Sequence, residues 1–285
     1  LFSKDTDYIP ITLTYKNKKM KGIMRLKGDT STHLAGEDWS YRIKLNGKNR
    51  IEGMKTFSIQ RLTERGYLYD WFYKQTLLAE NLIHMRSKFV IILINGKRYG
   101  IYNLEEHFDH RLIENNQRKD MPIFKFDESI LWQHRFHEYH NNPAKFIFLD
   151  IFPKMPVSVF KKNKWLQTSQ FRKISVLGTT LINKFRTGEL NTSTIYDINK
   201  YSTYVAITKL TGGSHGLWWA NQRFYLNPFT LKFEPIGFDG GNGPVRPLNV
   251  FSNKNTALCY YETWYQDPLF FEAYIKELNR ISQPH

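Results

Sequence analysis

The segment 221–241, NQRFYLNPFTLKFEPIGFDGG, constrains this chain more than any other. Two β-prone runs, 222–226 and 232–238, flank the turn-forming Asn227-Pro228-Phe229-Thr230, which predicts an antiparallel hairpin. Pairing about a centre near Pro228 and Phe229 sets Asn221 opposite Gly237, so the side chains of Asn221 and Asp239 are expected side by side at the open end. An amide oxygen beside a carboxylate suits a hard cation such as Mg²⁺ carrying a phosphate, and Gly240, Gly241 and Gly243 would let such a ligand approach the backbone. The same Asn and Asp would also serve as plain turn formers. As a group at an exposed cleft edge, Asp239 is expected to be replaceable by Ala without loss of the ligand-free fold.

With 285 residues, 41% hydrophobic and 16% aromatic, the chain can build one large core or two modest ones. Its longest apolar run, 89–94, is too short to span a bilayer. A single cysteine, Cys259, excludes an intrachain disulfide and a cysteine-built metal centre. Because the chain opens on Leu1 rather than Met, it is expected to be a piece of a longer protein, and no targeting segment is read from it. The net charge of +15 implies attraction to polyanions, whether nucleotide, nucleic acid, acidic protein or anionic surface. The small basic clusters at 16–21 and 161–164 read as solvated surface.

Residues 9–45 alternate like strands, with Met24 and Leu26 on one face and Arg25 and Lys27 on the other. Tyr41, Ile43 and Leu45 then oppose Arg42 and Lys44 in the same way, so paired strands would line one sheet face with four cations. Such a face could hold a triphosphate or simply be wetted. Next, Leu68, Trp71, Phe72, Leu78, Ala79 and Leu82 fall at helical spacing and predict a helix packed on the sheet. The run 89–94 reads as a strand buried on both faces, turned by Asn95-Gly96 into a second strand through Leu104. Glu105 and Glu106 lead into a helix expected over 107–116, where acids would also favour the macrodipole.

The stretch 123–164 gives no clear periodicity. His134, His137 and His140 lie there at helical spacing, but Glu138 is the only nearby carboxylate and no HExxH pattern accompanies them, so a metal centre is not assigned. Ser169 is expected to cap a helix with Phe171, Ile174, Leu177, Leu181 and Phe185, ended by Gly188. Asp197 opens another, carrying Tyr201 and Val205 and stopping at Gly212-Gly213, after which SHGLWWA is a loop. Asp267-Pro268 starts a last helix with Phe270, Phe271, Tyr274, Ile275 and Leu278 as its apolar positions. A β-rich part followed by a mainly helical part argues an α+β architecture with two lobes.

The segments RLKGD, SYRIKL, INGKRYGIYNLEEHFDHRLIENN, YDINKYSTYVAITKLTG, NQRFYLNP and EPIGFD occur in this order, and over nearly its whole length the chain resembles the CotH kinase family, named for a spore coat protein. That resemblance implies a divergent protein-kinase-like fold in one domain, with a β-rich lobe over about residues 1–106 and a mainly helical lobe over 107–285 that holds the 221–239 hairpin. It further implies binding of ATP with Mg²⁺ and transfer of phosphate to protein serine. Asn221 and Asp239 match the metal-holding Asn and Asp that flank the hairpin in kinases. Arg25, Lys27, Arg42 and Lys44 occupy strands that flank the family's phosphate-covering loop. The segment containing Glu105 and Glu106 looks like the connector against which adenine would lie.

The chain departs from the family at two points. Many members place Lys before the residue matching Ser40, where this chain has Asp38-Trp39. Members with the fuller motif carry the catalytic Asp five residues before the Asn, where this chain has Gly216, with His215 beside it in a branch reading HxLxWxN. A neutral imidazole at His215 could orient the acceptor hydroxyl, or it could hydrogen-bond backbone and shape the loop. The leading expectation is an ATP- and Mg²⁺-dependent phosphotransferase acting on a protein or other hydroxyl-bearing acceptor. A pseudokinase serving as an interaction module is the alternative. A basic nucleic-acid binder is the third, although the aromatics fall mostly at core spacing and no RNP, helix-turn-helix or zinc-finger pattern is present.

Overall fold

Alternating side chains build the first part of the molecule. The structure, a computed structural model, describes residues 6–28, 33, 36–130, 155–241 and 261–283. Strands β1 (Ile9–Tyr15), β2 (Lys18–Leu26), β3 (Tyr41–Leu45), β4 (Thr56–Arg61), β5 (Ile83–His84), β6 (Ser87–Ile94) and β7 (Lys97–Glu106) come first. All but β5 form a curled antiparallel sheet in the order β1-β2-β3-β4-β7-β6. Met20, Ile43, Leu45, Phe57, Ile59, Tyr102 and Leu104 make the core of one face. The Asn95-Gly96 hairpin forms as expected, both residues taking positive φ, 51° and 83°.

A second sheet, β5-β11-β10-β8-β9, is made by β8 (Ile123–Phe126), β9 (Val157–Val159), β10 (Arg223–Leu226) and β11 (Phe233–Gly237), with β5 parallel to β11 and the other pairs antiparallel. Helices α1 (Tyr69–Ala79), α2 (His110–Asn115), α3 (Lys162–Trp165), α4 (Ser169–Arg186), α5 (Thr192–Ile195), α6 (Ile198–Leu210), α7 (Tyr261–Tyr265) and α8 (Pro268–Ser282) complete the described α+β fold. Helix α6 is capped by Asp197, whose side chain accepts from the Lys200 amide, and it is buried at every position from Tyr201 to Thr208. It packs against α8 and α1. Asp267 caps α8 in the same way, placing Phe270, Tyr274 and Leu278 inside. No helix among the described residues is long and apolar enough to cross a membrane.

Five expectations need correction. Helix α1 buries Asp70, Tyr73, Lys74 and Leu77, while Leu68, Trp71, Phe72 and Leu78 are exposed, because the inward face is chosen by a buried ion pair rather than by hydrophobicity. Strand β6 is the edge of its sheet, so Ile91 and Leu93 face solvent instead of being covered on both sides. Helix α2 begins at His110, capped by the Asp109 side chain, because the chain stays in β7 through Glu106. Thr168, not Ser169, holds the cap position of α4, and SHGLWWA is wound into 3-10 turns at Ser214–Leu217 and Trp219–Asn221. His134, His137, His140, Gly243 and Cys259 lie outside the described residues.

Candidate functional site

Strands β10 and β11 form the expected hairpin in a register one residue from the one anticipated. Phe224 pairs with Pro235, Tyr225 with Glu234 and Leu226 with Phe233, which carries Asn221 opposite Phe238 rather than Gly237. The extra residue is taken up in the turn, where the Asn227 side chain accepts from the Phe229 amide and Leu231 closes back on Asn227 with φ of 54°. At the open end the two side chains meet, but through the amide nitrogen of Asn221 rather than the oxygen expected. Asn221 Nδ2 lies 3.3 Å from Asp239 Oδ2 and donates to the His215 carbonyl at 2.9 Å.

Asp239 is not at an exposed edge. It is 8% exposed and sits in the left-handed region at φ 57°, a conformation that Asp tolerates at some cost. Its Oδ1 accepts from the Arg65 guanidinium, and its Oδ2 is 2.8 Å from His215 Nδ1. Arg65 reaches it from a single 3-10 turn, Thr63–Arg65, after β4, where Gly66 and Tyr67 both take φ 57° and redirect the chain into α1. Replacement of Asp239 by Ala would therefore leave a buried cation short of its partner, contrary to expectation.

Behind Arg65 the charges continue without a break. Arg65 Nη2 donates to Glu105 Oε1 at 3.0 Å, Lys74 Nζ to Glu105 Oε2 at 2.7 Å, and Lys74 Nζ to Asp70 Oδ2 at 2.6 Å. Gln60 Nε2 adds a 2.6 Å bond to Glu105 Oε1 and its carbonyl accepts from Lys27 Nζ at 2.8 Å. Burial alone would push the Glu105 carboxyl up, but Arg65 and Lys74 overcome it and hold the group well below the usual carboxylate range. For Asp70 burial wins, and its carboxyl is pushed up despite Lys74. Arg65, Lys74, Asp70 and Gln60 were not singled out from the sequence. The signal that finds Asp70 and Lys74 is the spacing Asp70, Tyr73, Lys74, Leu77, one helical face in which an Asp-Lys pair four apart alternates with apolar residues; Arg65 and Gln60 carry no such local signal.

Of these groups Arg65 and Glu105 border a cleft of about 560 Å³. Three of the four expected cations, Arg25, Lys27 and Arg42, line it together with Asn221 and Asp239. Lys44 does not; it lies on the same sheet face but beside Ile23, exposed and farther along the strand. Lys27 is pushed down to about 7, first by burial and then by the charge of Arg65. Arg42 bonds His107 Nδ1, and burial followed by the charge of Arg42 holds that imidazole well below its ordinary range, hence neutral. Glu105 and Glu106 both border the cleft, with Glu106 clasped by Arg86 at 2.5 and 3.1 Å and Glu105 held by Arg65 and Lys74, so both carboxylates already have cation partners. Phe108, Phe160 and Phe238 form an apolar wall, and the Arg223 guanidinium sits 5.5, 5.6 and 5.5 Å from their respective centroids.

His215 is not among the residues lining this cleft; its ring packs on Trp218 at 4.4 Å and its Nδ1 turns to Asp239. Its carbonyl holds Asn221, so in this structure it orients the hairpin's two open-end residues. Gly240 and Gly241 do not cradle a ligand as expected. A Cβ on Gly240 would fall 2.3 Å from the Tyr73 ring, and one on Gly241 2.3 Å from Asp70 Cα, so both glycines seat the chain against α1. Gly216 is equally confined, since its Cβ would come within 2.9 Å of Gly240 Cα and 3.0 Å of the Phe238 carbonyl. A carboxylate side chain does not fit there. Gly216→Asp is therefore expected to lower stability by about 1–3 kcal/mol, as overpacking does, and to raise no activity; denaturant melting and a phosphate-transfer assay check both halves.

Among the described residues no three His, Cys, Asp or Glu side chains converge as a metal cluster. One carboxylate with one amide oxygen is the protein donor set that Mg²⁺ uses when phosphate and water supply the remaining oxygens. Asn221 turns its amide nitrogen toward Asp239 and the His215 carbonyl, and the Asp239 oxygens meet Arg65 and His215, so the pair would present that donor set only after the Asn221 amide turned over. Neither protein-family models nor curated proteins give a match to this chain.

Proposed function

We propose that the cleft binds ATP with Mg²⁺ and that the protein is a phosphotransferase of two-lobed, protein-kinase-like plan whose acceptor is a protein Ser/Thr or another hydroxyl group. The observation that carries this reading is the meeting of Asn221 and Asp239 with Arg25, Lys27 and Arg42 in one cleft. Asn221 and Asp239 would hold the metal, which would neutralise phosphate charge. The three cations would hold the phosphates, and the adenine would lie against the 105–108 connector and Phe160. Phosphoryl transfer through a loose transition state depends mainly on positioning and electrostatic stabilisation, so a cation-lined cleft supplies the larger share of what the reaction needs.

A second reading, a pseudokinase that binds nucleotide and works as an interaction module, is favoured by one observation: the position of the family's base is Gly216, with no room for a carboxylate. Transfer of labelled γ-phosphate to water, to the protein itself and to a serine-containing peptide separates the two, with Asp239→Asn as blank. Bound ATP without transfer to any acceptor selects the pseudokinase. No ATP binding at any Mg²⁺ concentration removes both.

Lys27 gives the cleft a pH signature. Its ammonium is depressed to about 7 in the folded protein, so above that pH it is mostly neutral, and a bound polyphosphate must recruit a proton to it. Affinity for ATP is expected to fall by up to about tenfold per pH unit between roughly pH 7.5 and 9, the limit for one linked proton. Lys27→Arg, which stays charged, should flatten that profile in equilibrium titrations. An unchanged slope in the variant would remove Lys27 from the phosphate site.

A further inference from the structure

The cations of β2 and β3 extend beyond the cleft. Alternation along β2 sends Met20 to the core and Lys19, Lys21 and Arg25 to the opposite face, while β3 sends Ile43 and Leu45 to the core and Arg42 and Lys44 to that same face. The registers Arg25↔Arg42 and Ile23↔Lys44 set the two files side by side, with Thr12 opposite Lys21 and Thr14 opposite Lys19 on β1. A row of positive charge thus leaves the cleft at Lys27, Arg25 and Arg42 and runs through Lys44 and Lys21 to Lys19 at the sheet's far end. Lys19, Lys21 and Lys44 are exposed, and among the described residues none has an ion-pair partner. Glu52 and Glu105, acids of the same sheet region, are held elsewhere, the first by Lys16 and Lys88 and the second by Arg65 and Lys74.

We propose that this row is a docking track for an extended acidic segment of a polypeptide acceptor, an assignment that rests on the cleft acting as proposed above. Same-face side chains on a strand repeat every ~6.8 Å, and so do alternate side chains of an extended peptide, so carboxylates at every second residue match the lysines one for one. Nucleic acid is the competing polyanion, and surfaces that hold single strands stack bases on exposed aromatic rings. The aromatic residues of β1 to β4, Tyr15, Tyr41 and Phe57, all belong to the core side, half-buried Tyr8 at the cleft end lies against the Arg25 guanidinium at 5.8 Å, and the lysines' neighbours are Thr12, Thr14, Ile23 and Thr56. Spacing and chemistry both point to a peptide.

Fluorescence anisotropy without nucleotide tests the track. A labelled peptide of alternating Glu and Ser is compared with one of equal composition carrying its Glu in a block, with a mixed-sequence single-stranded RNA of equal charge, and with anionic phosphatidylserine vesicles. The variant Lys19→Gln/Lys21→Gln/Lys44→Gln is set against Lys162→Gln/Lys173→Gln/Lys276→Gln, which removes equal charge from exposed positions on α3, α4 and α8. The alternating peptide is expected to bind best, and the track variant to weaken it roughly tenfold at low salt, as loss of three screened surface pairs would. The control variant should stay near wild type. Equal weakening by the control, no weakening by the track variant, or tighter binding of the block peptide, RNA or vesicles would overturn the proposal. The three comparisons among ligands use only wild-type protein, so they decide even if a variant folds poorly. Peptide binding that persists in a protein showing no ATP-dependent shift in melting upholds the track and removes only the nucleotide reading.

Discussion

Lys74→Met is expected to destabilise the protein by on the order of 3–5 kcal/mol, the usual result of removing one partner from a buried ion pair. Lys74 is 1% exposed and its ammonium is shared by Asp70 and Glu105, themselves 1% exposed. After the change Glu105 keeps Arg65 and Gln60, but Asp70 loses its cation. The effect of pH then distinguishes the two acids. Glu105, held low, contributes stability that is complete above the ordinary carboxylate range and lost only as pH falls through its depressed value. Asp70 is already pushed up by burial, so in the variant acidification protonates it early and returns part of the loss. Urea melts of wild type and Lys74→Met at neutral and at progressively lower pH should show the gap narrowing. A gap that widens on acidification, or a variant as stable as wild type, would mean that the chain of charges does not hold the fold.

Asp239→Asn is expected to abolish stabilisation by Mg²⁺ with ATP, which in the wild type should reach roughly 2.7 kcal/mol at about a hundred times the dissociation constant. Asn tolerates the left-handed backbone at this position, and Arg65 retains Glu105, so the ligand-free variant should lose only about 1.5–3 kcal/mol, the scale of one charge-assisted bond. The carboxylate charge that a divalent cation requires is gone. Asn221→Ala should weaken the ligand effect less, since a neutral amide contributes less to Mg²⁺ than a carboxylate. Mg²⁺ alone should have little effect on the wild type, because Arg65 and His215 already satisfy Asp239 and only phosphate brings compensating charge. Thermal melts with each component separately and together read all three expectations. Undiminished stabilisation by Mg²⁺ with ATP in Asp239→Asn would remove Asp239 as the metal ligand.

Much of the fold was legible because its signals are local. The Asn95-Gly96 turn, the Asn227 turn and the Asp197 and Asp267 caps each depend on a few neighbouring residues, and each forms where the residues place it. The failures arise where tertiary context decides. An apolar run such as 89–94 looks the same in an edge strand as in a covered one. In α1 the most apolar stripe faces out, since the inward face is set by Glu105 and Arg65, residues remote in sequence that require a cation and an anion opposite them. The pairing of Asn221 with Asp239 could be read from the hairpin alone, whereas the burial of Asp239 could not, because it depends on Arg65 arriving from another sheet. Gly240 and Gly241 suit either a ligand or a helix at close range, and only the position of Tyr73 tells which.

The run of buried charges also determines where the molecule can bend. Swinging the large sheet against the hairpin about the floor of the cleft would draw Arg65, Glu105 and Lys74 out of register, at several kcal/mol per ion. A hinge there is blocked, so α1, β4, β7 and the turn at Asp239 move as one block. Within the sheet the outer strands β1 and β2 pair with that block through β3, and away from Lys27 they are held by backbone ladders and exposed turns that deform readily. Closure over an occupant of the cleft would then be the bending of a flap, with β1 and β2 as its free margin, rather than the shutting of a jaw.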